Sequence, residues 1–84
     1  MKSIKINEYD KNMGILINID DPKYNLFNAI NYDYETLLYN KDKLLDKNSR
    51  YFIYCKGGYK SRMATTLLEA YGYNVTQVLI NDLK

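Results

Sequence analysis

The sequence predicts an α/β domain, a central parallel sheet flanked by short helices in three layers. Three observations point there. Short β-branched and aromatic runs alternate with helical patterns along the chain, the arrangement that builds parallel sheets. The run Tyr51-Phe52-Ile53-Tyr54 is a strand of the kind buried inside such a sheet. It passes directly into Cys55 and a glycine-bearing loop, and a helical pattern follows at once.

Taken in order, Ser3-Ile4-Lys5-Ile6-Asn7 alternates like a short edge strand. Glu8 to Asn12 predicts a helical turn closed by Gly14. Ile15-Leu16-Ile17-Asn18-Ile19 is a second strand, and Asp20-Asp21-Pro22 ends it with turn chemistry. Asn28-Ala29-Ile30-Asn31 is a very short strand. Asp33 is placed to cap a helix with Tyr34, Leu37 and Leu38 on one face, and Leu44 and Leu45 fall on a following turn. After the polar Asp46-Lys47-Asn48-Ser49 comes the Tyr51–Tyr54 strand. Ser61 is placed to cap the next helix, whose residues Ala64, Leu67, Leu68 and Tyr71 follow the i, i+3, i+4, i+7 pattern. Gly72 sits where a helix-ending glycine belongs, and Asn74 to Ile80 forms a last strand. The expected faces of the sheet are both covered by helices.

With 84 residues there is room for one domain, residues 1–84, and no linker or repeat interrupts it. Apolar residues make up 46% and charged residues 26%, the balance of a folded globular chain. No apolar run approaches the roughly 20 residues that span a bilayer, and Met1-Lys2-Ser3-Ile4-Lys5 is no secretory leader, so the expected compartment is the cytoplasm and no membrane partner is expected. A net charge of +2 with both signs interspersed argues against a nucleic-acid partner; ten tyrosines among lysines match an Asn-, Lys- and Ile-rich composition rather than a base-stacking surface.

The absences narrow the chemistry. Without histidine there is no Ser-His-Asp triad, no Cys-His pair and no imidazole metal site. With one cysteine there is no internal disulfide, no CxxC pair and no thiolate zinc cluster. Covalent chemistry must then rest on a cysteine activated by something other than histidine.

Cys55-Lys56-Gly57-Gly58-Tyr59-Lys60-Ser61 joins a strand to a helix. Gly57 and Gly58 let the backbone curl around the sulfur, and a curled loop opening a helix points N–H groups inward as an anion nest. The helix N-terminus, Lys56 and Lys60 add positive charge, which favours the reactive thiolate. Lys56, Lys60 and Arg62 also oppose the helix dipole, a conflict that a bound anion resolves. A lone cysteine after a buried strand is ordinarily a small buried hydrophobe, and a glycine pair ordinarily a turn. Loop, charges and helix start together outweigh that reading.

The segment from Tyr51 to Ser61 resembles the active-site strand and loop of rhodanese-like domains, whose pattern is a cysteine, four variable residues, an arginine and a serine. Leu67 to Val75 resembles the helix, the glycine-aromatic step and the valine strand that follow in that family. Upstream, Ile17 to Pro22 is similar to its Asp-Val-Arg strand end, and Asn28 to Asn31 to its Gly-Ala-Ile-Asn segment. The resemblance implies a sulfurtransferase in which Cys55 takes sulfane sulfur as a persulfide from a donor such as thiosulfate and passes it to a thiol or protein acceptor. On it, backbone N–H groups of Lys56 to Lys60 cradle the outer sulfur, Gly57, Gly58 and Tyr59 act through their backbones, Lys56 and Lys60 supply charge, and Ser61 caps the helix. No metal or organic cofactor is implied.

The sequence departs from the family pattern at several points. Lys60 replaces the arginine and loses its bidentate fork. Asn18 and Asp20 stand where the family has aspartate and arginine, and Tyr24-Asn25-Leu26-Phe27 replaces its Gly-His-Ile-Pro stretch. The sequence to Lys84 lacks the usual C-terminal helix, an arrangement that leaves sheet surface for a homodimer or partner protein. Two other activities compete: a non-catalytic module that docks an anionic or thiol-bearing partner on the same nest, and a cysteine phosphatase. The phosphatase needs an arginine six residues after the cysteine, where Ser61 stands.

Overall fold

Side chains in the central strands alternate between two faces, and both faces are apolar, so these strands are buried on both sides of a parallel sheet. The structure, a computed structural model, describes residues 1–80. Five strands, β1 (Ser3–Lys5), β2 (Ile15–Asn18), β3 (Ile30–Asn31), β4 (Arg50–Tyr54) and β5 (Asn74–Leu79), pair in the order β1-β5-β4-β2-β3. Every pairing is parallel. All carboxyl ends therefore emerge along one edge, the edge where open α/β sheets bind ligands. The expected edge position of β1 and the short β3 are both seen.

Tyr51, Ile53 and Cys55 from the β4 segment point to one face with Ile17, Ile19 and Val75. Phe52 and Tyr54 point to the other with Leu16, Val78 and Ile80. The two faces are covered unequally. The first carries α1 (Tyr34–Tyr39), α2 (Lys41–Leu44) and α3 (Tyr59–Ala70), which bury Leu37, Leu45, Ala64 and Leu68. The second is covered by loops and two 3₁₀ turns, Ile6–Glu8 and Pro22–Tyr24, through Ile4, Ile6, Tyr9, Met13, Leu26 and Ala29. Loops and 3₁₀ turns close that face where a second helical layer was expected, so its layer is thin.

Asp33 caps α1 as expected, its carboxylate accepting the Thr36 N–H at 3.3 Å. Gly72 closes α3 at φ 95°, with its N–H on the Glu69 carbonyl and the Tyr73 N–H on that of Leu68, the paired bonds of a Schellman ending. Two expectations about the helical segments shift. The helical turn sits over Ile6–Glu8 rather than Glu8–Asn12, because the Glu8 carboxylate reaches back to the Lys5 N–H at 2.7 Å and fixes it there. The buried stripe of α3 is Ser61, Ala64, Thr65 and Leu68, leaving Leu67 and Tyr71 half-exposed at its flank. Two small polar residues hold the inward positions, which masks the stripe in a hydrophobicity pattern. The expected terminal arrangement past Ile80 lies outside the described residues.

Gly14 is required by close approach, not by a helix end. A Cβ there would meet the Arg50 carbonyl oxygen at 2.5 Å and the Phe52 ring at 2.9 Å. Backbone cannot yield as a side chain can, so Gly14→Ala is expected to cost about 1–3 kcal/mol, read as a lowered denaturant midpoint at unchanged slope. A midpoint equal to that of the parent protein would show that β2 and β4 adjust freely.

Candidate active site

Cys55 leaves β4 at the carboxyl edge, turned toward the helical face and only 2% exposed. Lys56 and Gly57 carry the chain out, and Gly58 returns it at φ 85°, ψ −18°, a left-handed conformation that starts α3. The turn bends the chain around the sulfur. Cys55 Sγ accepts the N–H of Gly58 at 3.1 Å and that of Ser61 at 3.2 Å, and lies 3.4 Å from Ser61 Oγ.

The expected role of Ser61 as the helix cap is corrected by this geometry. Gly58 holds the cap position and has no side chain to offer, and Ser61 lies inside the first turn. The sulfur itself satisfies two N–H groups that the helix start leaves open. The Ser61 hydroxyl instead donates to the Gly58 carbonyl at 3.2 Å and accepts from Gln77 Nε2 at 3.0 Å. Gln77 Nε2 also donates to the Gly58 carbonyl at 3.0 Å, so β5 buttresses the loop from below.

The other residues expected at the site divide. The N–H groups of Gly57, Tyr59 and Lys60 make no hydrogen bond among the described residues, so they remain available to a ligand at the rim. The N–H of Lys56 is not part of that set, because Asp20 Oδ2 accepts it at 2.9 Å. The Lys56 ammonium is turned to Tyr24, 3.2 Å from its hydroxyl and 5.0 Å from its ring centroid. Tyr59 points outward, 73% exposed, and meets the loop only through its backbone.

Burial is the largest influence on Asp20 and pushes its carboxyl up. The N–H groups of Lys56 and Asp21, with the charges of Lys60 and Lys56, outweigh it and hold the group below the usual aspartate range. Asp20 in turn sits on an asparagine scaffold. The fully buried Asn18 accepts the Asp20 N–H at 2.8 Å and donates to the Asp21 carbonyl and Asn25. Asn31 donates to the carbonyls of Asn18 and Asp20. Tyr54 adds a tie on the opposite face, its hydroxyl accepting the Leu26 N–H and donating to the Tyr24 carbonyl, both at 2.8 Å. Burial pushes this phenol up, so it keeps the proton it donates.

Gln77 and the use of Asp20 as an acceptor were not legible as parts of the site. The one sequence signal is a glutamine in the middle of a strand that reads as buried. Among the described residues no group of three His, Cys, Asp or Glu side chains could hold a metal, and no helix is long and apolar enough to cross a membrane.

No protein-family model matches the sequence, and no curated protein matches it. Solved structures do. A rhodanese-related protein from Thermoplasma volcanium superposes with a TM-score of 0.79 at 24% identity, over 93% of this chain and 83% of that one. A protein from Staphylococcus saprophyticus gives 0.80 at 23% identity, over 93% and 86%. The chain has the rhodanese-like fold. The reduced CoADR-RHD of Bacillus anthracis, much longer, matches with 0.78 at 22% identity, over 93% of this chain and 15% of its own. In this rhodanese-like fold the small parallel sheet and the strand-to-helix loop stand as the sequence led one to expect, while α-helices cover one face instead of both.

Two measurements test the loop. A Cβ at Gly57 or Gly58 meets nothing within 4 Å, so only backbone conformation distinguishes them. Gly58→Ala, forced left-handed, is expected to lose about 1–2 kcal/mol, and Gly57→Ala less than about 0.5 kcal/mol. Equal losses in denaturant titrations would contradict the assignment. For Asp20, a lowered folded pKa means stability that is fully present above the unfolded value and is lost as pH falls through the folded one. The stability gap between the parent protein and Asp20→Asn is therefore expected at neutral pH and should close in acid; a gap constant with pH counts against it.

Proposed function

We propose that the chain is a sulfurtransferase that carries sulfane sulfur on Cys55 as a persulfide. One observation carries the reading: two backbone N–H groups, at 3.1 and 3.2 Å, are aimed at the sulfur of the only cysteine at the carboxyl edge of the sheet. Hydrogen bonds of this kind stabilise negative charge on the sulfur as it attacks a donor and again as it leaves when an acceptor takes the outer sulfur. The fold, shared with a protein described as rhodanese-related, agrees with it.

With thiosulfate as donor, the deprotonated Cys55 sulfur attacks the outer sulfur. A new S–S bond forms, the bond to the sulfonate breaks, and sulfite leaves with the electron pair. The outer persulfide sulfur then lies toward the loop rim, within the charge field of Lys60, where Gly57, Tyr59 and Lys60 have unused N–H groups. A thiolate or protein acceptor attacks that sulfur and the Cys55 thiolate leaves. The steps balance without a metal or organic cofactor. The donor is a small sulfur compound and the acceptor a thiol, free or on a protein.

A phosphatase reading lacks its grip. Ser61 stands at the sixth position after the cysteine with its hydroxyl engaged inward, and Arg62 beyond it is exposed.

Incubation with thiosulfate or a small-molecule persulfide, followed by intact-mass measurement, should show the gain of one sulfur atom. The adduct should be absent in Cys55→Ser and removed by cyanide as thiocyanate. Ser61→Ala keeps the backbone donor and loses the hydroxyl's bonds to Gly58 and Gln77 that hold the loop, so loading should slow roughly tenfold without vanishing. A chain that gains no sulfur from any of these donors is instead a binding module.

A further inference from the structure

Asp20 stands at the sulfur site without holding the sulfur. Its Oδ2 accepts the Lys56 N–H at 2.9 Å and its Oδ1 the Asp21 N–H at 2.8 Å. The Lys56 nitrogen is four covalent bonds from Cys55 Sγ, so the carboxylate lies at most about 8 Å from the sulfur. Those two N–H groups and the charges of Lys60 and Lys56 outweigh its burial and keep it ionised at neutral pH. A neutral asparagine oxygen could accept the Lys56 amide as well. The negative charge itself therefore calls for a role.

The cations around the loop leave little grip for an anion. The Lys56 ammonium is turned to Tyr24, 3.2 Å from its hydroxyl and 5.0 Å from its ring centroid. Arg62 lines an outward groove with Tyr59, Met63 and Thr66. The charge of Lys60 bears on Asp20 itself. Asp20 also closes the first amide after the cysteine to any ligand.

We propose that Asp20 determines donor specificity by charge, disfavouring dianions such as thiosulfate and leaving perthiols, R–S–SH, as the preferred class. This rests on the reading of Cys55 as a carrier of sulfane sulfur. A donor's outer sulfur must reach Cys55 Sγ, so the donor's own charge enters the field of the carboxylate. The repulsion scales with that charge: thiosulfate brings two negative charges and an undissociated perthiol none. The separation does not exceed a physiological Debye length, so salt screens the repulsion only in part. With a perthiol, the Cys55 thiolate attacks the outer sulfur and a new S–S bond forms. The donor's S–S bond breaks, R–S⁻ leaves with the electron pair, and the proton stays on the transferred sulfur. Thiosulfate instead releases sulfite, a dianion, beside Asp20.

The test follows loading of Cys55 by intact mass, with thiosulfate and with 2-hydroxyethyl perthiol as donors. Asp20→Asn keeps an oxygen for the Lys56 amide and loses the charge. Its second-order rate constant is expected to rise about tenfold for thiosulfate and less than about threefold for the perthiol. Any effect on the ionisation of Cys55 enters both constants and cancels in their ratio. Asp20→Glu keeps the charge and is expected to hold the parent ratio within about threefold. Circular dichroism verifies that both variants fold. A ratio unchanged in Asp20→Asn, or shifted as far in Asp20→Glu, would overturn the proposal and leave the sulfur-carrier reading standing. A parent chain that takes sulfur from neither donor would overturn both.

Discussion

A helix begins with amide hydrogens that its own carbonyls cannot reach, and at α3 two of these are taken by the sulfur of Cys55. This contact joins the end of the central strand to the start of the helix packed over it. It requires a chain reversal within three residues, hence a left-handed Gly58. It also keeps Ser61 turned inward, where Gln77 from the neighbouring strand can hold it. The stability of the loop and the electrostatics of the sulfur are one arrangement. A side chain that capped α3 in the ordinary way would take these N–H groups from the cysteine.

Around that contact the neighbouring loops are tied down by hydrogen bonds rather than by apolar bulk. Asn18, buried at the end of β2, organises the turn that carries Asp20, and Asp20 takes the first amide after the cysteine. The parallel sheet makes this economical, since register sets Asn18 beside both Tyr54 and Asn31. A short chain with a modest core thus fixes its carboxyl edge by satisfying polar groups, at about 1 kcal/mol for each neutral bond and more for the charge-assisted ones. Where the resembling family has an arginine, this chain has an acceptor aimed at its own loop.

Much of the architecture was legible because it is written locally. The strand Tyr51–Tyr54, the glycine loop and the closing Gly72 each announce themselves within a few residues, and the structure realises all three. Parallel pairing follows from the same alternation of strands and helices. What could not be read depends on pairing across the sheet. Gln77 becomes a support of the loop only because β5 lies beside β4 in a given register, and Asp20 meets Lys56 only because β2 lies on its other side. Ser61 looked like a cap because serine at a helix start usually is one. Nothing in the sequence announced that a sulfur atom six residues earlier would occupy that place.

Tyr54, the residue just before the cysteine, adds a mechanical consequence. Its ring points to the face opposite the sulfur, and its hydroxyl is gripped by two backbone groups there. The end of the strand is thereby braced against rolling about its own length. Whatever flexing admits a reagent to the sulfur must come from the glycines that follow, which makes the loop a hinge with one fixed leaf.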